Sequence, residues 1–142
     1  MNSEQVLGRL RRFLFGLAIL MFAGSLAELF LINHLESFTQ VIPFILSGVG
    51  IVLAVWVSLQ PSRLALQLLR PGMILIALGS AFGVYIHVAS NLAFEMEIRP
   101  NVTAGEVFFE ALGGVNPLLA PGIIGLAAVV ALAGAYQHPA AS

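Results

Sequence analysis

Four separate apolar runs, at residues 13–33, 41–59, 72–92 and 118–136, are each long enough to cross a bilayer, because a spanning helix needs roughly 20 mostly apolar residues. Few folds are open to such a chain. Hydrocarbon offers no hydrogen bonds, so every backbone amide and carbonyl in such a run must be satisfied locally, which a helix does. A water-soluble alternative lacks the polar surface it would need. Of 142 residues only 9% are charged and 59% are hydrophobic, against about 25% charged in a typical soluble domain. The expected architecture is a single all-α integral membrane domain, a bundle of four transmembrane helices.

The arginines orient the bundle. Arg9, Arg11 and Arg12 precede the first run, Arg63 and Arg70 lie between the second and third, and only Arg99 falls on the other side. By the positive-inside rule both termini and the middle loop face the cytoplasm. Glu36, Glu95, Glu97, Glu106 and Glu110 then lie outside. Arginines before the first run and Ser25-Leu26-Ala27 within it give it the look of a signal peptide. Its apolar stretch continues to Ile32, past the length of an ordinary signal core, so a retained helix is expected. The intervening QPSRLALQLLRP, punctuated by Pro61 and Pro71, is expected as the cytoplasmic link.

Several chemistries are excluded. With no cysteine there are no disulfides, thiolate metal sites or cysteine nucleophiles. A net charge of −1 offers no basic surface for nucleic acid. No GxSxG, P-loop or dinucleotide fingerprint occurs. Asn101-Val-Thr103 formally matches a glycosylation acceptor, but that requires a secretory pathway, of which there is no sign, and it is read as chance.

Between the third and fourth runs lies a segment with its own signals. Thr103-Ala-Gly-Glu106 fits a capping box, in which Thr accepts from the amide three residues on and Glu reaches back. Glu106 and Glu110 share one face, Phe108 and Leu112 another, and Gly113-Gly114 supplies a stop. A short amphipathic helix at about residues 104–112 is expected, lying at the outer interface. It serves either as a lid over the bundle or as a docking surface.

Glu28 is the one carboxylate inside an expected span. Ionisable groups there cost on the order of 2.5–3.5 kcal/mol, so Glu28 is expected to face the bundle interior, pair with another group or be protonated. His87 is the natural partner, since each lies five residues before its helix's outer end, at Asn33 and Leu92, or roughly 7–8 Å deep. Gly24 precedes Glu28 by four and Gly83 precedes His87 by four. Gly79 completes a Gly-x-x-x-Gly pattern of the kind that lets membrane helices approach closely. Asn91 and Glu95 continue the His87 face outward, and His34, Gln40 and Asn116 fall near the same rim. Three readings of this polar crown are open. It is a hydrogen-bonded plug; or a metal site with His87, Glu28, His34 and Glu95 as nitrogen and oxygen ligands; or a haem site. The six-residue offset between His34 and His87 relative to their helix ends, ~9 Å, weighs against two axial histidines.

The run YIHVASNLAFEMEIRP, followed by GEVFFEALGGVNPLLAPG, resembles an uncharacterised group of short four-span bacterial inner-membrane proteins. In that group a Y-x-H…N-x-x-F-E-x-E-x-x-P pattern leads into an amphipathic segment and a P-x-L-A-P-G helix start. The matching positions are Tyr85, His87, Asn91, Phe94, Glu95, Glu97 and Pro100, then Pro117, Leu119, Ala120, Pro121 and Gly122. The resemblance implies a bacterial inner membrane and carries no activity or cofactor.

The function expected from these readings is that of a small non-catalytic accessory or interaction subunit in a larger bacterial membrane assembly. Its partners would be the bilayer and other membrane subunits or a second copy. The alternative is a metal- or haem-binding protein using the Glu/His cluster. An enzyme acting on a lipid or quinone at the outer interface is a third.

Overall fold

A computed structural model of the chain describes residues 2–32 and 38–141, and all regular structure among them is helical. The long helices are α1 (Ser3–Leu31), α2 (Phe38–Leu59) and α3 (Arg63–Ile98). A one-turn α4 (Phe108–Leu112), α5 (Leu119–Gly134) and a 3-10 turn (Pro139–Ala141) follow. By length and composition α1, α2 and α3 can each cross a membrane, while α5 is a shorter apolar helix of 16 residues.

The helices differ from the expected spans at their ends, each time for a local reason. α1 begins well before its apolar run because Asn2 and Gln5 form a reciprocal cap. Asn2 Oδ1 accepts from the Gln5 amide at 2.9 Å, and the Gln5 side chain accepts from the Asn2 amide at 3.3 Å. This satisfies two of the first-turn donors. The largest departure is α3. The expected link over residues 60–71 shrinks to a short turn at Pro61-Ser62, where the Ser62 hydroxyl accepts from the Ala65 amide at 3.2 Å and starts the helix. Pro71 does not stop it. Its missing amide deprives the Gln67 carbonyl of a partner, but Gln67 is exposed. Ala65, Leu66 and Leu69 meanwhile are fully buried on the opposite face. Packing of that stripe outweighs the single lost hydrogen bond. The 36 residues of α3 reach about 54 Å at the helical rise, well beyond the roughly 30 Å of bilayer hydrocarbon.

The three long helices and α5 form a ring. α1 packs on α2 and α5, and α3 packs on α2 and α5. α1 and α3 lie across the ring from each other and make no contact. Membrane-type interfaces rely on small residues and close backbone approach rather than on apolar transfer, and α5 follows that rule. It buries Ala120, Ala127, Ala128 and Ala131 between its two neighbours. A Cβ added at Gly125 would lie 2.6 Å from Ser80 Oγ, and one at Gly50 of α2 would lie 2.6 Å from the Phe22 ring of α1. The dense core is built from residues such as Phe15, Phe22, Val57, Leu69 and Met73. Of these, Phe15 and Val57 lie at the end where the chain termini meet. There Arg70 Nη2 donates to the Ala135 carbonyl and Arg11 Nη2 to the Gln137 carbonyl, each at 3.0 Å. Both cations thereby satisfy carbonyls at the negative end of α5.

Candidate functional site

The opposite end of the ring is held by polar side chains, and two prolines explain why they are needed. Pro121 has no amide to offer the carbonyl four residues back, that of Pro117. His87 supplies the missing donor, with Nδ1 lying 2.8 Å from the Pro117 oxygen. A carbonyl is only an acceptor, so Nδ1 carries a proton, and the tautomer with that one proton has Nε2 as an acceptor. One turn deeper, the Ser80 hydroxyl donates to the Pro121 carbonyl. Two α3 side chains thus bond carbonyls at the start of α5, and His87 stands in for a backbone donor.

Asn91 fixes the chain leading into that start. Its Nδ2 donates to the Ala111 and Asn116 carbonyls, both at 2.9 Å. Its Oδ1 accepts from the Asn116 amide at 2.9 Å and from Asn116 Nδ2 at 3.0 Å. All four hydrogen-bonding positions of the side chain are filled at a site 1% exposed. Gly114 is required here, because a Cβ would stand 2.6 Å from Asn91 Cγ. Of the residues expected near the polar rim, Asn91 and Asn116 are thus in direct contact, and they anchor the connection from α3 to α5.

Beside these groups the ring is open. A cavity of about 630 Å³ lies between the helices at this end. α1 contributes Leu29 and Ile32, and α2 contributes Thr39, Gln40, Ile42, Pro43 and Leu46. α3 lines it from Gly79 to Ser90, and the α5 entry lines it from Asn116 to Ile124. The depth is lined by Leu46, Ile124 and the face around Gly79 and Gly83, where the Ser80 hydroxyl is bonded to Pro121, while the polar side chains Gln40, His87, Ser90 and Asn116 lie toward the mouth. No charged side chain among the described residues lines it. Such a volume lies within the usual range for small-molecule sites, about 300–1,000 Å³.

The other expected site residues divide clearly. Glu28 does not meet His87. Their helices are the non-touching pair, and Glu28 and Gly24 are exposed on the outside of α1, where a Cβ at Gly24 would touch nothing. The equal depth expected for them on parallel helices does not make them neighbours in a four-membered ring. Glu95 pairs with Arg99 one turn on, at 2.5 Å, and Arg99 also reaches Glu110 of α4 at 3.6 Å. These carboxylates hold the guanidinium pKa above its ordinary value, the Glu95 hydrogen bond being the main cause. His34 lies outside the described residues. Among those described, no group of three or more His, Cys, Asp or Glu converges, so the expected metal-ligand set is not assembled. Of the expected packing glycines, Gly79 faces Leu46 and Gly83 faces Pro121, a Cβ at either standing at 3.2 Å.

The outer amphipathic helix is shorter than its pattern. Only half of the capping box forms: the Glu106 carboxylate accepts from the Thr103 amide at 2.7 Å and from its hydroxyl at 2.8 Å. The Thr103 hydroxyl thus donates to Glu106, whose amide donates to the Thr103 carbonyl at 3.0 Å instead, and residues 103–106 make a turn. α4 starts only at Phe108, and it buries Ala111, preceded by buried Val107, while Phe108 and Leu112 remain exposed. Sequence reading passed over Ser80 and Ser90. The available signal was their spacing of seven and three residues from His87, which puts them on its flank of the helix.

No protein-family model matches this chain, and comparison with curated proteins and with solved structures finds no match.

Proposed function

We propose that this chain is a non-catalytic, multi-pass protein of the bacterial inner membrane that holds an uncharged amphipathic molecule in its outer cavity. The observation that carries this reading is the cavity, lined in its depth by Leu46 and Ile124 and uncharged along its described lining. His87 sets the chemistry of the head. With Nδ1 committed to Pro117, Nε2 accepts, and a hydroxyl-bearing head suits it. The apolar tail then lies against Leu46 and Ile124. In this reading α5 is the fourth span. Its 16 residues cover about 24 Å, and its packing along both α1 and α3 supports a position in the same slab. The arginine distribution supports N-in and C-in orientation. A photoreactive long-chain alcohol tests the idea, with labelled sites mapped by peptide sequencing. Labels concentrated on Leu46 and Ile124 are expected. Labels spread over outward-facing Leu20 and Leu78, with none on that pair, would overturn it.

One observation favours the second reading, an accessory subunit of a larger assembly. Glu28 and Gly24 lie on an α1 face with no partner among the described residues. A carboxylate facing lipid costs up to about 2.5–3.5 kcal/mol toward the bilayer centre, and a covering subunit that donates to it removes that cost. Purification in mild detergent should then retain a partner that Glu28→Leu releases. A single species of one chain, unaltered by that substitution, would remove this reading.

A further inference from the structure

A second cleft, of about 500 Å³, opens at the other end of the bundle, between the first turns of α1, the end of α2 and the C-terminal segment. Its floor is apolar, formed by buried Phe15 and Val57. Its walls carry Arg11, Arg12 and His138, with Glu4 as the one carboxylate. Gln137 turns the chain here with φ of 43°, and its carbonyl accepts from Arg11 Nη2. A guanidinium has five N–H donors, so Arg11 keeps donors to spare after that bond. Arg12 is exposed and has no hydrogen bond or ion pair to any described residue. His138 Nδ1 accepts from the Ala140 amide at 3.2 Å, which leaves Nε2–H as a further donor. Burial and then the positive charges of Arg11 and Arg70 hold the His138 pKa below its ordinary value, so the cleft carries a positive field beyond its own lining.

We propose that this cleft binds the phosphate of an anionic membrane phospholipid, with Arg11, Arg12 and His138 as donors and the glycerol end of the lipid against Phe15 and Val57. The location fits the chemistry. Arg11 and Arg12 immediately precede the apolar run of α1, which places them at the headgroup level where basic pockets between helices hold anionic heads. Free phosphate shares the recognised group but not the apolar floor. Native mass spectrometry separates the sources, using protein taken from mixed vesicles of phosphatidylglycerol and phosphatidylcholine. The wild type should retain phosphatidylglycerol several-fold above its bulk share, and Arg12→Gln should cut that enrichment by roughly fivefold, as expected for one arginine at the surface. Its thermal stability in phosphatidylcholine should be unchanged, since Arg12 holds no structural bond. Arg63→Gln, on the same side but outside the cleft, should leave the enrichment intact. Equal retention of both lipids overturns the proposal, as does an equal loss in Arg63→Gln. Displacement of phosphatidylglycerol by millimolar inorganic phosphate would overturn the lipid assignment.

Discussion

His87 acts in this fold as a substitute amide. Pro121 cannot supply the donor that a helix would offer the Pro117 carbonyl, and the imidazole does so from the neighbouring helix. The two positions must therefore be energetically coupled. His87→Ala alone should destabilise the protein by about 0.6–1.7 kcal/mol, the range for hydrogen bonds between membrane helices. In a Pro121→Ala background the amide restored at position 121 can take over the Pro117 carbonyl, and the same histidine change should cost less. A double-mutant cycle in unfolding free energy reads this directly, and strictly additive effects would contradict it. Glu106 gives a second prediction, at the outer turn. The Thr103 amide and then its hydroxyl hold the carboxyl pKa below the ordinary glutamate value. A lowered carboxylate pKa means that the turn's stabilisation is present above the unfolded value and lost as pH falls through the folded one. Thr103→Val keeps the amide but removes the hydroxyl, and should move the Glu106 titration part of the way back up. Carboxyl NMR shifts followed against pH check this, and an unchanged titration would contradict the hydrogen-bond account.

Helix contacts are set by glycines whose importance their spacing alone did not reveal. Gly50 lets the Phe22 ring lie on the backbone of α2, and that ring is fully buried, with no space to retreat into. Gly50→Ala should cost about 1–3 kcal/mol through overpacking. Gly16→Ala, on an exposed face with nothing within 4 Å, should be neutral or favourable by up to about 1 kcal/mol from helix propensity. Reversible unfolding of the two variants in mixed micelles makes the comparison, and equal effects would contradict the packing. The apolar runs made the long helices legible, because hydropathy over some 20 residues overrides local detail. The ends were less so. Pro71 has a strong local preference to stop a helix, yet buried Ala65, Leu66 and Leu69 carry α3 past it. The Thr103–Glu106 pair satisfies the capping pattern by sequence, yet makes a turn because Val107 and Ala111, not Phe108 and Leu112, find the core. Neighbour relations were the least legible. The expected spans put Glu28 and His87 at one depth, but depth fixes only one coordinate, and the ring order that separates α1 from α3 comes from packing between distant segments.

The whole molecule is a bundle with a packed core that carries a cationic cleft beside the termini and an uncharged cavity at the other end. Toward the termini, aromatic and aliphatic side chains fill the ring, and two arginines close the end of α5. Toward the other end the backbone is interrupted by Pro43 and Pro121, and polar side chains of α3 bind the entry to α5 beside the cavity. That cavity is the basis for the proposal that an uncharged amphipathic molecule binds at this end. Ser90 lies at the mouth, is exposed, and makes no bond to other described residues, so Ser90→Trp can obstruct the opening without disturbing the helix contacts. The most direct measurement is native mass spectrometry of the two purified proteins, released from detergent under identical conditions. The account predicts one uncharged amphipathic molecule retained by the wild type and absent from Ser90→Trp. A bare wild-type protein, or the same adduct at the same occupancy in both, would contradict it.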